Sequence, residues 1–177
     1  MALYLTFRRC IIVETKHCEV KGNIRKVVVL VDYENASESA TLSGCILDLK
    51  QLIKECVERI GVVKVALVFA PLYLVTEEKI EEFDTAGFDC IACPKRTVYG
   101  KEKDRVDSRM ISIAKKLFDE HSDVTDIVIV SNDGDFTPLV TFFKHRGKRV
   151  TLFGLGDISN TLKKVVDIIY PIPVKKI

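Results

Sequence analysis

The sequence has little excess charge of either sign and no long apolar run. Its 27 Lys and Arg residues nearly cancel 25 Asp and Glu residues, which leaves a net charge of +2 over 177 residues. Because this charge does not attract a polyanion to the whole molecule, any nucleic acid must be held by a local patch. The longest apolar stretch, Val65–Val75, contains Pro71 and is shorter than the ~20 residues that span a bilayer. We therefore expect a soluble protein with no membrane partner.

The six cysteines show no arrangement that predicts disulfides or a complete zinc site. The apolar start of the chain is interrupted at Arg8 and Arg9, which is not typical of a secretory signal. Reduced thiols and a cytoplasmic location are therefore expected. Cys90 and Cys93 have the spacing of half a zinc site, but no second Cys or His pair follows at a suitable distance. We expect both on a buried strand, where free cysteine packs as a small hydrophobe.

Apolar runs alternate with segments of helical spacing along most of the chain. The runs predict strands at Val27–Val31, Val62–Phe69, Phe88–Ala92, Asp126–Val130 and Arg149–Phe153. The spacing predicts helices at Ile46–Ile60, Thr76–Phe83, Val106–Leu117, Leu139–Phe143 and Leu162–Val166. This alternation predicts an α/β fold, in which helices cover both faces of a central, mainly parallel sheet of about five strands.

The first 25 residues do not follow this alternation. Apolar residues alternate with polar ones there, which predicts a short hairpin or an added edge strand. We therefore divide the chain into an amino-terminal extension, residues 1–25, and one α/β domain, residues 26–177. With 47% apolar residues the sequence has enough material for one core of ordinary size.

Acidic residues directly follow two of the predicted strands. Asp32 follows the first strand, while Asp133 and Asp135 follow the fourth. The carboxyl ends of parallel strands meet where the strand order reverses, and ligands bind there. Asp107, in the first turn of a predicted helix, adds another carboxylate. Four such groups in one cleft repel each other unless a cation neutralises them, and oxygen ligands suit Mg²⁺ or Mn²⁺.

Three of the four acids also have an ordinary structural explanation. Asp107 alone is typical of a favourable charge at a helix amino terminus, and Asp133-Gly134-Asp135 alone is typical of a turn that leads into a helix. Asp32 has no such explanation in the sequence, because the residues after it do not predict a helix for it to cap. We therefore favour a functional role for Asp32.

Other polar residues are candidates for supporting roles near these acids. Asn35 is either a loop residue or a group that orients Asp32, and Ser131 either caps a turn or holds a water molecule. Asp104 lies three residues before Asp107 and either shares its helix face or caps that helix. Cationic residues surround the same segment and would guide a phosphate backbone towards the acids; they are Lys95, Arg96, Lys101, Lys103, Arg105 and Arg109. A solvated loop that only aids solubility explains these cations equally well.

Four segments in this order carry a family resemblance: Val29–Asn35, Arg105–Asp107, Ser131–Phe136, and a tail that includes Ser159, Leu162 and Asp167. Together they resemble the NYN domain family, in particular its LabA-like branch, within the PIN-like nuclease group. The resemblance implies a PIN-like three-layer sandwich over roughly residues 26–170. It also implies a divalent-metal-dependent ribonuclease, in which Asp32, Asp107, Asp133 and Asp135 bind the metal and catalyse hydrolysis. Many members have a further aspartate about two turns after the Val-Asp pair, where this chain has Ile113.

The resemblance implies that the partner is RNA, which we expect to be single-stranded. A second copy of the chain, in a homodimer, is a further candidate partner. Two other classes of function remain open at this stage. One is a catalytically weak RNA-binding or regulatory module, which the apolar Ile113 favours. The other is a metal-dependent phosphatase or a Toprim-like domain. Such phosphatases carry a DxD motif after the first strand and Toprim-like domains carry a glutamate there, whereas this chain has Asp32-Tyr33-Glu34. No serine or cysteine lies in a recognisable nucleophile motif, so hydrolysis by this chain does not require a covalent intermediate.

Overall fold

The structure is a computed structural model that describes residues 24–94, 96–98, 101–103 and 106–176. In these ranges the chain forms a six-stranded parallel sheet between two layers of helices. The predicted three-layer α/β sandwich is therefore confirmed, with six strands in the sheet where about five were expected. The hairpin or edge strand predicted for residues 1–25 falls almost wholly outside the described residues.

The strands comprise the main sheet and two small antiparallel pairs. In chain order they are β1 (Lys26–Asp32), β2 (Cys45–Leu47), β3 (Val62–Pro71), β4 (Asp89–Cys93), β5 (Arg96–Val98), β6 (Lys101–Lys103), β7 (Asp126–Val130), β8 (Arg149–Gly154), β9 (Ile168–Pro171) and β10 (Val174–Lys176). The main sheet has the order β4-β3-β1-β7-β8-β9, and every neighbouring pair in it is parallel. The pairs β2 with β10 and β5 with β6 are antiparallel.

The strand order reverses between β1 and β7. From β1 the chain builds outward through β3 to β4, and then crosses the sheet to build outward through β7, β8 and β9 on the other side. Crossovers that leave in opposite directions from two adjacent strands open a crevice at the carboxyl ends of those strands. The fold therefore places the residues that follow β1 and β7 beside each other.

Six helices cover the sheet in the described residues. They are α1 (Tyr33–Leu42), α2 (Leu49–Arg59), α3 (Glu77–Thr85), α4 (Val106–Glu120), α5 (Thr137–Lys144) and α6 (Asn160–Lys163), together with 3-10 turns at Leu72–Leu74 and Gly134–Phe136. Thr76 caps α3 as predicted, since its side chain accepts a hydrogen bond from the Lys79 amide at 3.3 Å. The helix predicted from Ile46 begins later, because Asp48 caps α2 and Ile46 belongs to β2.

Alternate residues of each central strand enter opposite cores. On one face, Val27, Val29 and Val31 pack against buried residues of α1, α2 and α3: Ala36, Ala40, Leu52, Cys56 and Phe83. On the other face, Val28 and Leu30 pack against buried residues of α4, α5 and α6: Met110, Ala114, Leu139, Phe143 and Leu162. Because both faces of β1 are buried, its position is fixed from both sides, and so is that of Asp32 at its end.

Candidate functional site

Asp32 lies at the carboxyl end of β1, in the crevice between β1 and β7. Its side chain is only 5% exposed. One carboxylate oxygen accepts a hydrogen bond from the Asn35 amide at 3.4 Å, and the other accepts from the Ser131 hydroxyl at 3.1 Å. Ser131 directly follows β7, so this second bond joins the ends of the two central strands.

The pKa of Asp32 is raised to about 7, mainly because burial disfavours the charged carboxylate. The hydrogen bonds from Asn35 and Ser131 oppose this increase, and the negative charges of Asp107 and Asp133 add to it. Asp32 therefore faces two of the other predicted acids closely enough to feel their charge. Without a counter-ion this carboxylate is held in an unfavourable environment.

Asp32 does have a helix to cap, contrary to the expectation from the sequence. Asp32 is the residue that caps α1, and it does so through its bond to the Asn35 amide. Capping alone does not explain its burial, because the caps Asp48 and Thr76 of α2 and α3 are not buried. Asp32 thus combines a local structural role with a place in the acidic crevice.

Three other carboxylates come together beside Asp32. One oxygen from each of Asp107, Asp133 and Asp135 lies within 4.8 Å of the others. Asp107 is in the first turn of α4, whereas Asp133 and Asp135 are in the turn after β7. The side chain of Asp133 also accepts a hydrogen bond from the Asp135 amide at 2.9 Å, which fixes this turn. Carboxylates at such spacing can share one hard cation such as Mg²⁺ or Mn²⁺.

Ser131 positions the acids rather than only closing a turn. Its hydroxyl donates to Asp32 and accepts a hydrogen bond from the Asp133 amide at 3.1 Å. Because Ser131 is completely buried, both bonds are shielded from water. One side chain therefore joins Asp32 to the turn that carries Asp133.

Asn132 is the centre of a second network, which the sequence reasoning missed although it lies in one of the quoted segments. Its side-chain amide donates to the Ser39 hydroxyl at 2.8 Å and to the Leu155 carbonyl at 2.6 Å, and it accepts from the Leu155 amide at 3.0 Å. The Asn132 backbone amide donates to the side-chain oxygen of Asn35 at 2.8 Å. Asn35 therefore bonds to two parts of the crevice. Its side chain accepts a hydrogen bond from the turn after β7, and its backbone amide donates to Asp32.

We expect the substitution Asn132→Ala to lower the free energy of unfolding by about 2 kcal/mol, because it removes three side-chain hydrogen bonds to the half-buried Ser39 and Leu155. Urea unfolding would measure the change, with Asn160→Ala as control because Asn160 is exposed. Equal unfolding midpoints for the two variants would contradict a structural role for Asn132.

A polar cleft of about 570 Å³ adjoins Asp133 and Asp135, two of the three grouped carboxylates. It is lined by residues Asn132 to Asp135 on one side and by the loop from Asp157 to Thr161 on the other. Gly134 permits this close approach, because a Cβ atom there would lie 2.6 Å from the Ser159 hydroxyl and 2.8 Å from the Thr161 hydroxyl. None of the residues that line the cleft is basic, so a bound cation is needed before a phosphate can enter it favourably.

The predicted basic residues are only partly covered by the described chain. Arg109 is exposed on α4, two residues after Asp107. Lys101 and Lys103 belong to β6, but their side chains lie outside the described part, as do Asp104 and Arg105. The suggested roles of these four residues therefore stay predictions. Ile113, near the position at which the family resemblance implies a further aspartate, packs against the core beneath α4.

The sequence matches the NYN domain family over residues 26–173. This match covers most of the chain, including all four acids. The chain belongs to the NYN domain family. NYN domains form part of the PIN-like nuclease group, which agrees with the acidic cluster in the crevice.

The fold of this NYN domain is also similar to a solved structure. A crystal structure of a protein of unknown function from Vibrio parahaemolyticus is 23% identical in sequence, with a TM-score of 0.75, and the alignment covers 87% of this chain and 97% of that one. At this identity the similarity concerns the fold. No curated protein gives a significant match. Among the described residues, no helix has the length and apolar character that crossing a bilayer requires.

Proposed function

We propose that this NYN domain is a divalent-metal-dependent ribonuclease that hydrolyses phosphodiester bonds in single-stranded RNA. The observation that carries the proposal is the close grouping of the Asp107, Asp133 and Asp135 carboxylates at the point where the strand order reverses. Membership of a family of PIN-like nucleases gives this grouping its chemical interpretation. Mg²⁺ and Mn²⁺ are the ions that fit a set of donors made only of oxygen.

The residues of the crevice have distinct roles in this proposal. Asp107, Asp133 and Asp135 would hold the ion, while the buried Asp32 adds a fourth carboxylate whose charge faces the same group. When bound, the ion supplies Lewis acidity to a scissile phosphate and acidifies a nearby water molecule. Ser131 and Asn35 keep the ends of β1 and β7 in register, so that the acids are positioned before the substrate arrives.

Cations next to the crevice would hold the RNA backbone. Arg109 is exposed on α4 close in sequence to Asp107, and the sequence shortly before this helix contains Lys101, Lys103 and Arg105. We assign these four residues to phosphate binding, since the acidic cluster itself repels a polyanion when no metal is bound.

The direct test is incubation of the purified protein with end-labelled single-stranded RNA in Mn²⁺ or Mg²⁺. We expect cleavage that stops when EDTA is added and that is far weaker in an Asp32→Asn variant purified in the same way. Asp157→Asn is the matched control, because Asp157 lines the same cleft outside the group of three acids. Equal cleavage by the Asp32→Asn variant would show that the activity comes from a contaminant or from another site.

The alternative function is RNA binding with little or no turnover. Ile113 favours it, because this apolar residue removes one source of negative charge for a second ion. Metal-dependent RNA binding without cleavage in the same assay would support this alternative and contradict hydrolysis.

A further inference from the structure

Tyr73 is an exposed aromatic residue beside the acidic crevice. It belongs to the 3-10 turn Leu72–Leu74 that directly follows β3, the neighbour of β1 in the sheet. In the register of these two strands Asp32 is opposite Phe69, so the turn projects beyond the sheet edge on which Asp32 lies. The Tyr73 side chain is 55% exposed in this position, and the adjacent Leu72 is 57% exposed.

The structure holds this aromatic ring in place from two directions. The Tyr73 hydroxyl donates a hydrogen bond to the carboxylate of Glu34, which is in the first turn of α1, two residues after Asp32. On the other side, Leu74 and Val75 pack against the core formed by α1, α2 and α3. A ring that is already oriented loses little conformational freedom when a ligand packs on it.

We infer that Tyr73 is a stacking platform for an unpaired nucleobase of the RNA strand that enters the acidic crevice. The inference rests on the proposed ribonuclease function and adds a specificity-determining residue to it. Stacking on an aromatic side chain requires a base that is not paired in a duplex, so this contact selects single-stranded RNA.

The negative charge next to Tyr73 favours a base over the sugar-phosphate backbone as the ligand of this surface. The Glu34 carboxylate accepts the Tyr73 hydroxyl bond, so a phosphate placed over Tyr73 would be repelled by this charge. A nucleobase is uncharged and presents a flat apolar face to the ring. Leu72, the residue before Tyr73, is also exposed and adds apolar surface to the same turn.

The test compares RNA binding by variants in Ca²⁺, which oxygen ligands bind and which offsets the repulsion by the acids, with gels to verify that the labelled RNA stays intact. We expect Tyr73→Ala to weaken the binding of labelled single-stranded RNA by roughly 5- to 100-fold, the range that corresponds to the loss of one stacked base. Tyr73→Phe keeps the ring and removes only the hydroxyl, so its binding should stay close to that of the unmodified chain. Leu42→Ala is the control for loss of an exposed apolar side chain, since Leu42 is 90% exposed at the far end of α1.

A strand of equal length without bases separates stacking from backbone contacts. The unmodified chain and Tyr73→Ala should bind this abasic strand equally, because no base is present to stack. In the cleavage assay with Mn²⁺, Tyr73→Ala should raise KM and leave kcat unchanged, since the contact is made equally with bound substrate and with the transition state.

Two negative outcomes have different meanings. If the unmodified chain binds and cleaves RNA but Tyr73→Ala binds the normal strand equally well, the stacking role of Tyr73 is wrong and the ribonuclease proposal stands. If the unmodified chain neither binds nor cleaves RNA, the proposed function and this inference both fail. A loss of binding to the abasic strand as large as the loss for normal RNA would also overturn the inference, because it would show a backbone contact.

Discussion

Substitution of Asp133 by asparagine is expected to slow metal-dependent RNA cleavage about 1000-fold. The variant loses one of the three carboxylates that would hold the ion, and electrostatic stabilisation by such an ion contributes several kcal/mol, with each 1.4 kcal/mol equal to a tenfold change in rate. Asparagine keeps the oxygen that accepts the Asp135 amide, so the turn after β7 should be preserved. The variant thus tests the charge of Asp133 separately from its capping bond.

Metal-induced stabilisation provides a second measurement on the same variant. At Mn²⁺ concentrations about 100 times the dissociation constant, the unmodified chain should gain roughly 2.7 kcal/mol of stability, and Asp133→Asn should lose most of this gain. In EDTA the variant should be at least as stable as the unmodified chain, because one source of repulsion is absent. Asp157→Asn should keep both cleavage and the response to Mn²⁺. If Asp133→Asn is destabilised in EDTA and still responds fully to Mn²⁺, Asp133 is a cap and not a metal ligand.

The sequence was sufficient to predict the sheet because its central strands are continuous apolar runs. Residues of β1 and β7 are buried on both faces, which leaves a strong signal that does not depend on distant contacts. The expectation that the acids after β1 and β7 meet came from the same pattern, because the carboxyl ends of parallel strands lie at one edge of a sheet. The order of the strands, which places β1 next to β7, was not predicted, because periodicity does not show which strands pair.

Helix α1 could not be predicted because its sequence gives a weak helical signal. Its buried residues are Tyr33, Ala36 and Ala40, so two of the three positions facing the core are alanines rather than large apolar side chains. The exposed side carries hydroxyl residues that bond back to the helix, as Thr41 does to the Ser37 carbonyl at 2.9 Å. Such residues favour caps and turns in isolation, and only tertiary packing makes them helical here.

The edge strands and the platform at Tyr73 depend on distant partners. Strand β9 has only four residues and alternates between half-buried and exposed positions, so its apolar pattern is too short to identify. Strands β2 and β10 exist because segments more than a hundred residues apart pair with each other. The bond between Tyr73 and Glu34 likewise spans 39 positions. Local spacing carries no information about such contacts.

We expect the metal-free chain to lose stability as pH rises, because of the environment of Asp32. The folded chain raises the pKa of this carboxyl to about 7 from an ordinary value of 3.8, mainly by burial. The folded state therefore favours the protonated form, and the cost of ionising Asp32 is absent below about pH 4 and complete above about pH 7. This difference of about three pH units corresponds to roughly 4 kcal/mol, so the metal-free chain should lose about that much stability from this group as pH rises.

Asp32→Asn should remove this loss, because the amide does not ionise. Its oxygen can accept the Asn35 amide, and its nitrogen can donate to the Ser131 hydroxyl, so the buried bonds have replacements. Urea unfolding in EDTA at pH 4.5, 6 and 8 would measure the stability difference between variant and unmodified chain, which we expect to grow by roughly 3 kcal/mol in favour of the variant over this range. Groups that titrate in both proteins cancel in this difference. Asp48→Asn is the matched control, because Asp48 caps α2 through the Gln51 amide but lies outside the crevice. Parallel stability curves for Asp32→Asn and the unmodified chain across this range would show that Asp32 is not held in an unfavourable charged state.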